Sequence, residues 1–306
     1  MALKDKIPFG MSLPHRSPDP IGVATIKTVA QRAEALGFRD LWVTENTLDA
    51  VASFDPVPLL TYAASVTSRI GVGASVVVLA VHSPLMVAHQ WATLDYLSGG
   101  RAILGVGLGR DHHYRQFEVP QDGKVARFRE EVALIKALWT QEKTTFHGRF
   151  YNIDDEMMQP KPVQRPHLPL WMGVGHPNAV RRTAELADGW MGSGGSSIAQ
   201  FQESVPILKR ALEERGRDPA SFPISKRIFM MVDENPSTAR RRLDRWFTQV
   251  YHNPPGTDLS GIHGTPEQVR ERLEEVVAMG ANHLMLNPVA NYVEQVDALA
   301  EIVGLK

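Results

Sequence analysis

The sequence predicts a (β/α)8 barrel. Apolar strand patterns alternate with helix patterns along the chain, the arrangement that builds parallel βαβ units, and eight strands can be placed. Several strand ends carry glycines or polar residues, as in a barrel whose active site lies at the C-terminal ends of its strands. The clearest is Ser98-Gly-Gly-Arg-Ala-Ile-Leu-Gly-Val-Gly-Leu-Gly109, in which a helix pattern closes on two glycines and a strand end then carries Gly105, Gly107 and Gly109. Glycine at every second position clears one face of a strand, so that a flat group can lie on the backbone; tight packing inside a sheet is the alternative.

In chain order, strands are expected at 8–13, 40–43, 70–79, 102–107, 170–174, 189–192, 224–232 and 283–287. Many are near-continuous apolar runs, as befits strands covered on both faces. Helices are expected near 22–36, 56–65, 84–97, 126–139, 178–187, 199–214, 238–247 and 265–279, with a last one at 293–303. Thr265-Pro-Glu-Gln268 is a strong helix start, with a capping threonine, proline at the first helical position and glutamine three residues on. Two insertion segments break the alternation, near 141–167 and 248–264. The first holds Phe146-His-Gly-Arg-Phe-Tyr151 and the proline-rich stretch 159–166. The second is too polar and proline-rich for regular structure from Tyr251 onward, with Asn253-Pro-Pro-Gly256. Long connections of this kind are usually lids or binding loops, and the aromatic group 146–151 would wall a pocket off from water. With no clear repeat or domain boundary, residues 1–306 read as a single domain.

Composition excludes several classes. A chain of 306 residues suits one barrel with insertions, and 43% hydrophobic residues can fill its core. The net charge of −1 gives no footprint for nucleic acid, and Arg240-Arg241-Arg242 reads as a solvated helix face. Without cysteine there is no disulfide, thiolate nucleophile or thiolate metal site. The N-terminus lacks a signal-peptide pattern, and the longest apolar run, 76–81, is too short to span a bilayer. These features point to a cytoplasmic protein that binds neither membrane nor nucleic acid.

Five stretches carry a family resemblance: Ala33-Glu-Ala-Leu-Gly-Phe-Arg-Asp-Leu-Trp-Val-Thr-Glu45, Leu97-Ser-Gly-Gly-Arg-Ala-Ile-Leu-Gly-Val-Gly107, Phe146–Tyr151, Pro169-Leu-Trp-Met-Gly173 and Ala184-Glu-Leu-Ala-Asp-Gly-Trp190. Together, and in this order, they resemble the luciferase-like monooxygenase superfamily over nearly the whole chain. The resemblance implies a barrel that binds FMN or the deazaflavin F420 above the strands, and it names no substrate. Flavin-using relatives commonly carry a phosphate-gripping arginine where this chain has Leu108, although Arg110 lies two residues on. The F420 branch holds phosphate with backbone N–H groups at the fifth strand-to-helix turn. Here Gly173-Val174-Gly175 followed by His176-Pro177-Asn178 supplies that turn, with glycines for close approach and the positive end of a helix. One departure counts the other way: F420 enzymes often have Asp-His after the second strand, where this chain has Glu45-Asn46. The residues favour F420, with FMN as the alternative. The cofactor-binding set is Ser75, Val76, Gly105, Gly107, Arg110, Gly173, Val174, Gly175, His176, Gly192 and Ser193.

Adjacent side chains such as His112 and His113 rarely share one ion, and no histidine pair with a carboxylate completes a metal-dependent hydrolase site. These two histidines rim the pocket or are exposed. His82, after the third strand, touches the cofactor edge or shapes the turn before Pro84. His15, Glu45 and Asn46 sit at adjacent strand ends and are the candidates for catalytic contacts or proton transfer. Trp42 and Trp190 are expected to anchor packing. The implied reaction is hydride transfer between F420 and a small organic substrate. An FMNH2- and oxygen-dependent monooxygenase served by a reductase partner is the rival, together with a non-catalytic cofactor-binding protein. The resemblance further implies a homodimer packed through the second and third helices, and a cis peptide bond between Ser75 and Val76 in a bulge that backs the cofactor. Helix 84–97 is apolar around much of its circumference, which requires burial on more than one side.

Overall fold

The computed structural model describes residues 2–257 and 261–306. Eight parallel strands are Phe9–Ser12 (β1), Asp40–Val43 (β2), Gly71–Ala74 (β3), Ala102–Gly107 (β4), Leu170–Val174 (β5), Gly189–Gly192 (β6), Ile224–Val232 (β7) and His283–Pro288 (β8). They pair in chain order; β8 pairs back to β1 and β4 pairs to β5, so the sheet closes into the expected (β/α)8 barrel.

The barrel interior is filled by Trp42, Trp171, Met191 and Met285. The two indoles lie 5.2 Å apart between ring centroids. They fit because Gly10 and Gly189 have no side chain: a Cβ at either position would come within 2.6 Å of an indole nitrogen. Below them Asp40 Oδ1 accepts from Trp42 Nε1 at 2.5 Å and His283 Nε2 at 3.1 Å. Burial pushes the Asp40 carboxyl up, but His283 and the Trp42 donor outweigh it and hold the group below the usual carboxylate range. Trp190 packs outward, stacked on Phe201 at 5.2 Å.

The third strand departs from the continuous strand expected over 70–79. It breaks after Ala74, resumes as Val77–Val78 beside β4, and ends in a 3-10 turn at Leu79–Val81. The Ser75–Val76 peptide between the two pieces is cis, as expected. The alternate glycines of β4 face this broken strand one for one. Gly105 lies against the Ala74 carbonyl, while a Cβ at Gly107 or Gly109 would stand 2.6 Å from the Val76 or Val78 side chain. Gly173 of β5 confines Val76 from the other side. Part of the cleared glycine face is thus filled by the protein itself.

Both insertions differ from expectation. Within 141–167, Thr144–His147 and Asn152–Glu156 form an antiparallel hairpin. The Glu130 carboxylate fastens it by accepting the backbone N–H groups of Arg149, Phe150 and Tyr151 at 2.7–3.0 Å. The segment joins a helix to the start of β5, which places it at the N-terminal face of the barrel, away from the strand ends that carry function. It therefore cannot wall off a pocket there. In the second segment, helix Pro236–Tyr251 runs three residues past the expected start of the insertion, at 248, held by Trp246, Phe247 and Val250 against Phe229. Gly261–Gly264 then pairs in parallel with β7, so regular structure returns where none was expected. Residues 258–260 of this insertion lie outside the described residues. Among the described residues no helix is long and apolar enough to cross a membrane.

Candidate active site

A cavity of about 680 Å³ opens at the C-terminal ends of the strands, within the range of small-molecule sites. Residues 44–50 border it after β2, Ser75, Val76 and Val78 form the β3 side, and residues 107–110, 173–176 and 191–195 follow from β4, β5 and β6. Arg16, Arg227 and residues 250–252 close the remaining side. Of the residues singled out in the sequence, Glu45, Asn46, Ser75, Val76, Gly107, Arg110, Gly173, Val174, Gly175, His176, Gly192 and Ser193 border this space, as do His112 and His113. Gly105 does not: it is buried between β3 and β4, where it makes room for backbone.

His15 is also set back from the cavity, 3% exposed. Its Nδ1–H donates to the Leu13 carbonyl at 2.7 Å, which leaves Nε2 to accept from the Thr44 hydroxyl at 2.8 Å. Burial, then the Arg227 charge, lowers its pKa to about 3, so the ring is neutral at physiological pH. Thr44 Oγ1 in turn accepts from Asn46 Nδ2 at 3.0 Å. His15 thus orients Asn46 through Thr44 rather than meeting a ligand itself.

Glu45 is held from three sides. Oε2 accepts the Val78 N–H at 2.6 Å, while Oε1 lies 3.3 Å from the Thr47 hydroxyl and 2.5 Å from His82 Nε2. The hydrogen bond to Glu45 raises the His82 pKa against partial burial. Glu45→Gln is therefore expected to bring the His82 pKa down, as followed by an NMR titration; an unmoved titration would break the coupling.

At β5 and β6 the cavity is bordered by a strand-to-helix turn and the loop 193–195. Gly175, at the start of helix Pro177–Leu186, is exposed, and a Cβ there would meet nothing closer than Ser193 Cβ at 3.6 Å. The Asn178 N–H is already taken by the His176 ring at 3.2 Å, and Pro177 has none, so the donors this turn can offer a ligand are those of Gly175 and His176. The Arg110 guanidinium crosses from β4 to lie against Gly195, 2.7 Å from where a Cβ would sit.

The luciferase-like monooxygenase family model matches residues 7–261, most of the barrel. The chain belongs to the luciferase-like monooxygenase family. An F420-dependent glucose-6-phosphate dehydrogenase of Kineococcus radiotolerans is 31% identical over 71% of this chain, a match that spans 66% of that protein's length, just under two thirds. Two solved structures share the fold with a TM-score of 0.83. One is a monooxygenase from Streptomyces bottropensis, 21% identical, covering 96% of this chain and 98% of its own. The other is a coenzyme F420 dependent tetrahydromethanopterin reductase from Methanopyrus kandleri, 19% identical, covering 98% of this chain and 100% of its own.

Sequence reasoning missed three cations of this luciferase-like barrel. Lys226 is fully buried on β7, where Nζ donates to the Ser193 and Ser196 carbonyls at 2.6 and 2.8 Å and so ties down their loop. Burial, then the Arg227 charge, lowers its pKa to about 7. Arg227 and Arg16 line the far wall. The signal was available: two consecutive cations inside a nine-residue strand buried at every position are costly unless they have a task.

Proposed function

We propose that this chain is an F420-dependent oxidoreductase that exchanges a hydride between the deazaflavin and a small organic substrate. The observation that carries the reading is the cradle at Gly175, His176 and residues 193–195: an open glycine, a helix start and a loop pinned by Lys226, all bordering the cavity. This arrangement fits an anionic side chain such as the cofactor's phosphate. Ser75, Val76, Gly107, Gly173, Val174 and Gly192 would border the ring system. When bound, F420 would supply or accept the hydride.

The protein has the remaining work. Asn46, fixed by Thr44 and a neutral His15, presents a polar group of set orientation. Glu45, backed by His82, can hold a proton near the substrate or pass one on. A relative named for F420-dependent sugar phosphate oxidation and the fold shared with an F420-dependent reductase support the reading.

Mixing the purified protein with F420 and with FMN tests it. F420 should give saturable fluorescence quenching and a thermal shift. Tight FMN binding without a response to F420 would overturn the assignment in favour of the monooxygenase reading, which Arg110 beside Gly195 favours and which needs a reductase partner. F420 binding without turnover across substrate classes would favour a non-catalytic binding protein.

The proposal includes a homodimer. Helix Pro84–Ser98 buries one side on the barrel yet leaves Leu85, Met86, Tyr96 and Leu97 41–63% exposed. Light scattering at micromolar concentration should give twice the 34.0 kDa chain mass, and a monomeric mass would reject the dimer.

A further inference from the structure

Arg16 and Arg227 are 9% and 5% exposed, yet both border the cavity. Arg16 spends Nε on Asp49 at 2.5 Å and Nη2 on the Val250 carbonyl at 3.0 Å; its Nη1 has no partner among the described residues. Arg227 donates from Nε to the Asn287 side-chain carbonyl at 2.8 Å, lies 4.4 Å above the Phe229 ring, and leaves Nη2 without a partner. Among the described residues Arg227 forms no ion pair with a carboxylate. Its surroundings are neutral or cationic, with Tyr251 beside it and His15 and Arg16 nearby.

Burying a guanidinium without a counter-charge is costly, and the cost needs a cause. The barrel order puts β7 and the loop after β1 across from the glycine-lined ends of β3, β4 and β5. We propose that Arg16 and Arg227 form a subsite for a carboxylate carried by the substrate. One buried nitrogen on each arginine lacks a partner, two donors for the two oxygens of a carboxylate, and a desolvated guanidinium binds such a group more strongly than an exposed one. The substrate class is then a small hydroxy or oxo acid, held by its carboxylate on the arginine wall with its reacting carbon toward the glycine wall.

This substrate class rests on the oxidoreductase reading, but its test does not need the cofactor. Thermal shifts of the cofactor-free protein would be measured with sodium acetate, lactate and succinate, with neutral lactamide, and with inorganic phosphate, at matched ionic strength. At about 50 mM, at least one carboxylate should raise Tm by roughly 2–4 °C, with lactamide silent. Arg227→Gln should abolish the response while F420 quenching stays within about threefold. Arg227→Met, which removes the unpaired charge, should match or exceed the parent Tm in the absence of carboxylate. A response to phosphate alone, a response retained in Arg227→Gln, or silence from all three carboxylates would each overturn the proposal. So would a large fall in Tm for Arg227→Met, which would make the arginine a packing element, or a loss of F420 affinity in Arg227→Gln, which would assign it to the cofactor. If the parent protein fails to bind F420, the oxidoreductase reading falls and the carboxylate result is read separately.

Discussion

Replacing Gly175 by aspartate is expected to weaken the proposed F420 binding about a hundredfold while leaving the fold intact. The backbone has room for the new side chain, since its Cβ would meet only Ser193 and Ser196 Cβ atoms at 3.6 and 4.0 Å. The charge is what matters. Two like charges about 5–6 Å apart at an effective dielectric of about 20 repel by roughly 3 kcal/mol, on the order of a hundredfold in affinity. Gly175→Ala, which adds bulk without charge, should lose far less. F420 fluorescence quenching against both variants separates the terms. Parent-like affinity in the aspartate variant would move the phosphate away from this turn, most simply toward Arg110.

Acid should destabilise the protein through His15 well before its carboxylates titrate fully. The unfolded histidine binds a proton near pH 6.5, whereas the folded one resists until about pH 3. Between those values the unfolded state holds more protons, so the contribution of His15 to stability is complete above pH 6.5 and shrinks as the pH falls. The slope approaches about 1.4 kcal/mol per pH unit once the unfolded ring is protonated, so the loss from pH 6.5 to about 4.5 is roughly 2 kcal/mol. Denaturant unfolding of the parent and of His15→Gln at both pH values measures it: the variant should lack about one proton's worth of slope. Equal slopes would show that the ring titrates normally in the fold. Asp40, held below the usual carboxylate range, adds a further loss only at lower pH.

Much of the barrel was legible because buried parallel strands write themselves as short apolar runs, and seven of the eight were placed within a residue at each end. The exception is the third, where Val72-Gly-Ala-Ser-Val-Val-Val78 reads as unbroken strand; residue identity carries no mark of the break, which only the resemblance suggested. The glycine and helix-start pattern at 173–178 located one end of the cavity. The hairpin at 144–156 was put on the wrong face because its aromatic content was weighed and its position was not: a helix-to-strand connection must lie at the opposite end of the barrel from a strand-to-helix one. His15 was taken for a contact residue because adjacency to a strand end does not say how deep a side chain sits. Arg227 went unremarked inside the strand at 224–232, although a charge within a buried strand is a cost that needs a cause.

The glycines of β4 and β5 act as a mould around the third strand, and a mould couples what it holds. Volume at this level of the barrel is a shared sum: Gly107 and Gly173 give up their side chains so that Val76 can have one. An alanine at either position would have to be met by a smaller residue at 76, and a smaller residue at 76 alone would deepen the cavity floor by the methyl groups removed. Anyone reshaping this pocket should therefore treat positions 76, 107 and 173 as one variable, and relatives with different ligand depths should differ at all three together.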